Sequence, residues 1–140
     1  MRAIDSSSLA KYVNKEQDWE EIAKQLASDR CSTLEFAMQE VGNSIWKRVL
    51  RKEVPKENAL SVFQEFVRAV LDDGIVDLVR LEADLLYASL KLAVEERITI
   101  YDSAFIELAR RNKWGLITSD DKQRDISKKC YATIHVTYIK

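Results

Sequence analysis

Turn-forming residues are scarce: the 140 residues include three glycines and one proline. That argues against an all-β fold, which needs tight turns between many short strands. The only histidine, His135, falls in the alternating stretch Thr133 to Tyr138, where it reads as an outward-facing strand residue. A Ser-His-Asp or Cys-His catalytic set is therefore disfavoured, as is a histidine-rich zinc site. The two cysteines, Cys31 and Cys130, match no metal or redox spacing and read as buried, reduced thiols. No run approaches the ~18 apolar residues of a membrane-spanning helix. Arg2 leads straight into Ala3-Ile4-Asp5, which leaves no room for a signal peptide, so the expected location is cytoplasmic, with no membrane partner. At a net charge of −1 the whole molecule is not an electrostatic trap for nucleic acid.

What is present is a globular balance, 46% hydrophobic and 32% charged, in a length that suits one domain over residues 1–140 with one core. Arg2 to Asp5 reads as an opening strand, with Ser6 to Ser8 as a turn or cap. Trp19, Ile22, Ala23 and Leu26 recur at helical spacing. Ser32-Thr33-Leu34-Glu35 has the form of a capping box opening a helix that carries Leu34, Ala37, Val41, Ile45 and Val49 on one face. Pro55 suits the first position of a further helix that ends at Asp72-Asp73-Gly74. Ile75 to Val79 is a strand candidate. A helix from Glu82 to Glu95 presents Ala83, Leu86, Tyr87, Leu90, Ala93 and Val94, a stripe that reads as core by default or in part as a dimer or partner-protein surface. Asp125 to Lys129 offers a turn or two of helix, and Thr133 to Ile139 a last strand.

Ile98 to Asp121 organises the rest. Asp102 stands at the head of a helix whose stripe is Ala104, Phe105, Leu108 and Ala109. Arg110, Arg111 and Lys113 suit its C-terminal end, and Gly115 its cap. Leu116 to Thr118 then form a strand ending on Ser119, Asp120 and Asp121. Helix then strand, with acids at the start of one and the end of the other, is half of a doubly wound α/β unit. In such sheets ligands bind beyond the carboxyl ends of the strands, so Asp5, Asp102 and Asp120 are aimed at one edge. Glu40 joins them as a fourth acid, three residues before Asn43 on its helix. Clustered carboxylates need raised pKa values or a cation. With oxygen ligands only, that cation is magnesium or manganese, and a pair of such ions serves phosphodiester hydrolysis. Taken singly, each acid also reads as an ordinary cap, turn or solvated helix residue.

These residues resemble the ordered motifs of PIN-domain nucleases: Asp5 after an opening strand, Glu40 to Lys47, Thr99 to Phe105, and Leu116 to Asp120. The nearest resemblance is to the VapC-type toxins of prokaryotic toxin–antitoxin pairs, over essentially the whole chain. The resemblance implies a three-layer α/β/α sandwich with a mainly parallel sheet, and a magnesium- or manganese-dependent endoribonuclease. It makes Asp5, Glu40, Asp102 and Asp120 the catalytic, metal-binding acids. Ser6 and Thr118 match the small hydroxyl positions that support the acids, and Asn43 a polar position beside them. The double aspartate leaves the register between Asp120 and Asp121 open, and the family pattern selects Asp120, two residues after Thr118. A homodimer and a cognate antitoxin are implied as well.

An RNA substrate gives the basic clusters a reason, since an acidic centre needs positive rims for flanking phosphates. Lys47, Arg48 and Arg51 follow Glu40, and Lys122 and Arg124 follow Asp120. Taken alone, each cluster also reads as a solvated helix face. The competing function is a non-catalytic PIN-like module that binds RNA or a protein. A receiver-like phosphoacceptor ranks below both, because it needs adjacent acids after the first strand, where Asp5 stands alone before serines.

Overall fold

The computed structural model describes residues 1–131 and 133–140, and among them places five strands and seven helices. The strands are β1 (Arg2–Ile4), β2 (Cys31–Leu34), β3 (Asp77–Val79), β4 (Gly115–Thr118) and β5 (Val136–Tyr138). The helices are α1 (Ser6–Val13), α2 (Trp19–Ser28), α3 (Ala37–Leu50), α4 (Lys56–Leu71), α5 (Ala83–Glu96), α6 (Ile100–Asn112) and α7 (Asp121–Cys130). Every strand pair is parallel, in the order β3-β2-β1-β4-β5. Right-handed crossovers put α1 to α4 on one face as the chain runs outward through β2 to β3, and α5 to α7 on the other as it returns. Helix contacts follow the same division: α1 packs on α2, α3 and α4, whereas α6 packs on α5 and α7. This is the α/β/α sandwich with a parallel sheet that the motifs imply.

Parallel strands buried on both faces are short and largely apolar. Ile4, Leu34, Leu116 and Ile117 supply the central layer, Leu9, Ile22, Val41 and Phe66 cover one side, and Phe105, Ile106 and Leu108 cover the other. In α6 every residue from Ser103 to Ala109 is buried, so the whole circumference of that turn is enclosed rather than one stripe.

The capping-box reading of Ser32 to Glu35 is overturned. Cys31–Leu34 is the fully buried strand β2, and its helix starts only at Ala37. Two hydroxyls in four residues disguised the strand, but Thr33 Oγ1 donates to the Ile4 carbonyl at 2.8 Å, which satisfies it inside the sheet. Ser6 to Ser8 open a full helix instead of a turn, because Asp5 caps it. Gly115 does not close α6. Lys113, in the left-handed region at φ 57°, ends that helix. Gly115 begins β4, where an added Cβ would lie 3.1 Å from the His135 carbonyl oxygen. The last helix is longer than its apolar pattern suggested, and the last strand shorter, with His135 exposed just before it.

The default core reading of the α5 stripe holds for Ala93 and is corrected for the rest. Leu85, Ser89, Leu92 and Ala93 are buried, while Ala83, Leu86, Tyr87, Leu90 and Val94 are exposed. Both sets have helical spacing, and the small Ser89 decides between them. Its carbonyl accepts from Ser103 Oγ of α6 at 2.7 Å, a close approach of the two helices at a small residue. Both cysteines are free thiols, Cys31 buried and Cys130 partly so.

Candidate active site

The winding direction reverses between β1 and β4, and such a reversal opens a crevice at the strands' carboxyl ends. The register sets Ile4 against Ile117, so Asp5 falls level with Thr118. Asp5 is fully buried and caps α1, its Oδ1 accepting from the Ser8 backbone N–H at 2.8 Å. Its Oδ2 accepts from Ser7 Oγ at 2.7 Å and from Thr118 Oγ1 at 2.5 Å. Glu40 lies in the first turn of α3 and accepts from Ser6 Oγ at 2.6 Å. Asp102 lies in the first turn of α6, not at its cap: Thr99 is the cap and accepts from the Asp102 N–H at 3.1 Å. Asp120 caps α7, its Oδ1 accepting from the Gln123 backbone N–H at 2.8 Å.

Four acids thus stand at four helix N-termini, where the positive end of each macrodipole favours negative charge. They meet around one cleft of about 240 Å³, whose walls carry Glu40, Asp102 and Asp120 with Asn43, Lys47 and Gln123. Asp5 lies behind Ser6 and Ser7, which line the same cleft. Burial pushes the Asp5 carboxyl above the ordinary aspartate range, against the pull of its Thr118, Ser8 and Ser7 hydrogen bonds. Glu40 is raised first by burial and then by repulsion from Asp102 and Asp5, with the Ser6 hydroxyl opposing. Asp102 is raised by burial and by repulsion from Asp120. Among the described residues, no lysine, arginine or amino terminus forms an ion pair with any of the four.

This donor set fits a hard divalent cation: it is all oxygen, and none of the four carboxylates is held in an ion pair among the described residues. Among the described residues, no group of three or more Asp, Glu, His or Cys side chains stands close enough together to hold a metal ion between them. The arrangement suits an ion held by one or two carboxylates that keeps several of its waters, as magnesium does.

The two candidate acids of the Ser119-Asp120-Asp121 run face opposite ways. Asp120 lines the cleft, whereas Asp121 accepts from Tyr138 Oη and pairs with Arg124 at 3.3 Å. Of the five basic rim candidates, Lys47 lines the cleft, and Lys122 lies near enough to Asp102 to draw its pKa back down. Arg48 is turned to a neighbouring groove, where it donates to Asn14 and pairs with Glu53 at 3.1 Å. Arg124 is tied to Asp125 at 2.8 Å and lies over the Tyr138 ring at 4.3 Å. Arg51 follows the last residue of α3, a turn beyond Lys47.

Sequence reasoning missed the supporting shell of Ser7, Ser8, Ser119, Thr99 and Gln123. Ser8 Oγ and Ser119 Oγ lie 3.1 Å apart and join α1 to the end of β4. Only Gln123 left a readable signal, three residues after a capping acid.

The sequence model of the PIN domain family matches residues 3–129, a span that contains all four acids and stops before β5. The chain belongs to the PIN domain family. It is similar to Ribonuclease VapC3 of Pyrobaculum aerophilum, at 28% identity over 94% of this chain and 95% of that protein. In fold it resembles the crystal structure of PAE2754 from the same organism, with a TM-score of 0.71 at 18% identity, covering 96% of this chain and 82% of that one. A toxin–antitoxin complex from Klebsiella pneumoniae gives a TM-score of 0.68 at 14% identity, over 99% and 100% of the two chains. In this PIN domain the cleft lies beyond the carboxyl ends of the neighbouring strands β1 and β4. None of its helices is long and apolar enough to cross a membrane, among the described residues.

Proposed function

We propose that this PIN domain, one folding unit over residues 1–140, is an endoribonuclease that hydrolyses RNA phosphodiester bonds with magnesium or manganese. The observation that carries this reading is the convergence of Glu40, Asp102 and Asp120 on one cleft with Asp5 behind its wall, each at a helix N-terminus and none in an ion pair among the described residues. Asp5, Glu40, Asp102 and Asp120 are the residues to hold a divalent ion, with Ser6, Thr118 and Asn43 in support. A bound ion supplies a water of lowered pKa and offsets charge on the phosphate. The protein's own part is to fix the acids by their caps, and to attract flanking phosphates through Lys47 and Lys122. The likeness to Ribonuclease VapC3 supports RNA as the substrate class.

The test is cleavage of labelled single-stranded RNA and structured tRNA by the purified chain with magnesium, manganese or EDTA. Cutting that needs the ion and spares DNA supports the reading. No cutting of any RNA by folded protein overturns it and leaves a module that binds without turnover.

The biological reading is the toxin of a toxin–antitoxin pair, supported by the fold shared with a structure described as such a complex. A groove of about 520 Å³ between α1, α3 and α4 is lined by Tyr12, Trp19, Ile45, Val62 and Phe66, and is the seat we infer for the antitoxin. It adjoins the cleft through the Asn14 Nδ2 to Ser44 Oγ hydrogen bond of 3.0 Å. The homodimer is assigned to the other layer, where α5 exposes Leu86, Tyr87, Leu90 and Val94. Leu90→Arg with Val94→Glu should convert dimer to monomer in sedimentation with no loss of thermal stability of the protomer. A dimer that persists at micromolar concentration removes α5 from the interface.

A further inference from the structure

Gln123 is buried, with 2% of its surface exposed, yet it lines the acidic cleft. It occupies the third position of α7, after the capping Asp120. In a capping box the glutamine at that position reaches back to accept from the backbone N–H of the cap residue. Here that N–H is already taken: Asp120 N donates to Thr118 Oγ1 at 3.0 Å. Gln123 is turned instead across the cleft, and its Nε2 donates to Asp102 Oδ1 at 3.2 Å. Its Oε1 is left buried with no hydrogen-bond partner among the described residues. A buried acceptor without a partner is destabilising, so the side chain is kept in a place that helix capping and packing alone do not favour.

We propose that Gln123 is a positioning residue that sets Asp102 against Asp120 for divalent-ion binding. One residue donates to both acids, from its backbone to Asp120 Oδ1 at 2.8 Å and from its amide to Asp102 Oδ1. These two acids come from different helices and repel each other. A bridge of two N–H groups holds their inner oxygens, fixes the carboxylate planes and leaves the other oxygens for an ion. Partners that orient ligands in this way typically change metal affinity by about 10–100-fold when removed.

The proposal rests on the metal-dependent reading above, and the test separates the two. Manganese binding to the metal-free protein is measured by calorimetry for wild type, Gln123→Met, Asp102→Asn and the double variant, with a thermal melt of each. Methionine keeps the length and shape of glutamine but removes both the amide donor and the orphan acceptor. The expected result is an approximately tenfold weaker manganese affinity in Gln123→Met, with a melting temperature equal to or above that of wild type. In the Asp102→Asn background, the same substitution should change manganese affinity no further. Equal manganese affinity in Gln123→Met and wild type overturns the proposal while leaving the metal reading intact. So does a loss of the same size in the presence and absence of the Asp102 carboxylate, which is how a general loosening of α7 behaves. No manganese binding by wild type overturns both.

Discussion

Asp5→Asn should cut metal-dependent RNA cleavage by at least about 100-fold, while the protein stays folded and at least as stable at pH 7. The kinetic part follows from the several kcal/mol that ion-assisted charge stabilisation contributes, at about 1.4 kcal/mol per factor of ten. The stability part follows from the carboxylate's surroundings. Asp5 is fully buried without a cationic partner, so its charged form bears a burial cost that asparagine does not. Asparagine caps helices as well as aspartate does, so the bond from the Ser8 N–H is retained. The hydroxyls of Ser7 and Thr118, which now donate to Oδ2, can turn to accept from the new amide. Cleavage kinetics and a thermal melt of the two proteins check both halves. A variant that melts well below wild type makes Asp5 a structural residue first. Retention of most of the activity removes it from the site.

Removing the divalent ion should lower stability, and by more at pH 7 than at pH 5. Asp5, Glu40 and Asp102 all have folded-state pKa values above their ordinary ones, with burial the leading cause in each. Between the unfolded and folded values the native state binds more protons at these three acids, so their contribution to metal-free stability is fully present below the ordinary carboxylate range. It is lost as pH rises through the raised values, and is flat beyond them. An ion replaces those protons, so its affinity grows over the same interval. At an ion concentration 100 times Kd the stabilisation is about 2.7 kcal/mol, or roughly 5–10 °C for a chain of this size. Melts with manganese and with EDTA across pH 5 to 8 should therefore diverge as pH rises. Curves that stay parallel, or an EDTA melt that is best at pH 8, contradict the arrangement.

Much of this site was legible without coordinates, for a physical reason. Strand ends and helix starts have short-range signatures, and at this switch point the chemistry sits on them. Asp5 follows an apolar run that begins the chain, and Asp120 follows Leu116 to Thr118. Asp102 falls in a first helical turn, where acids are locally favoured, whereas Glu40 was legible through the family's motif, because the misread start of its helix hid its place in the first turn of α3. The parallel α/β class follows from alternation of such runs with helical stripes.

Sequence alone determined the parallel α/β fold class, and it picked out as candidates the four acids that the structure gathers at one end of the sheet. Only the tertiary structure decided what depends on contacts between distant segments. Cys31–Leu34 is a strand because β1 and β3 flank it and Ile4 accepts its threonine hydroxyl. The buried face of α5 is set by how closely Ser89 lets α6 approach. Arg48 leaves the cleft because Asn14 and Glu53 engage it, and Asp121 because Tyr138 and Arg124 do. Gln123 serves Asp102 only because Thr118, on another element, has taken over its capping bond. Local propensity acts over a few residues, whereas a hydrogen-bond donor is assigned by whichever acceptor the fold brings within reach.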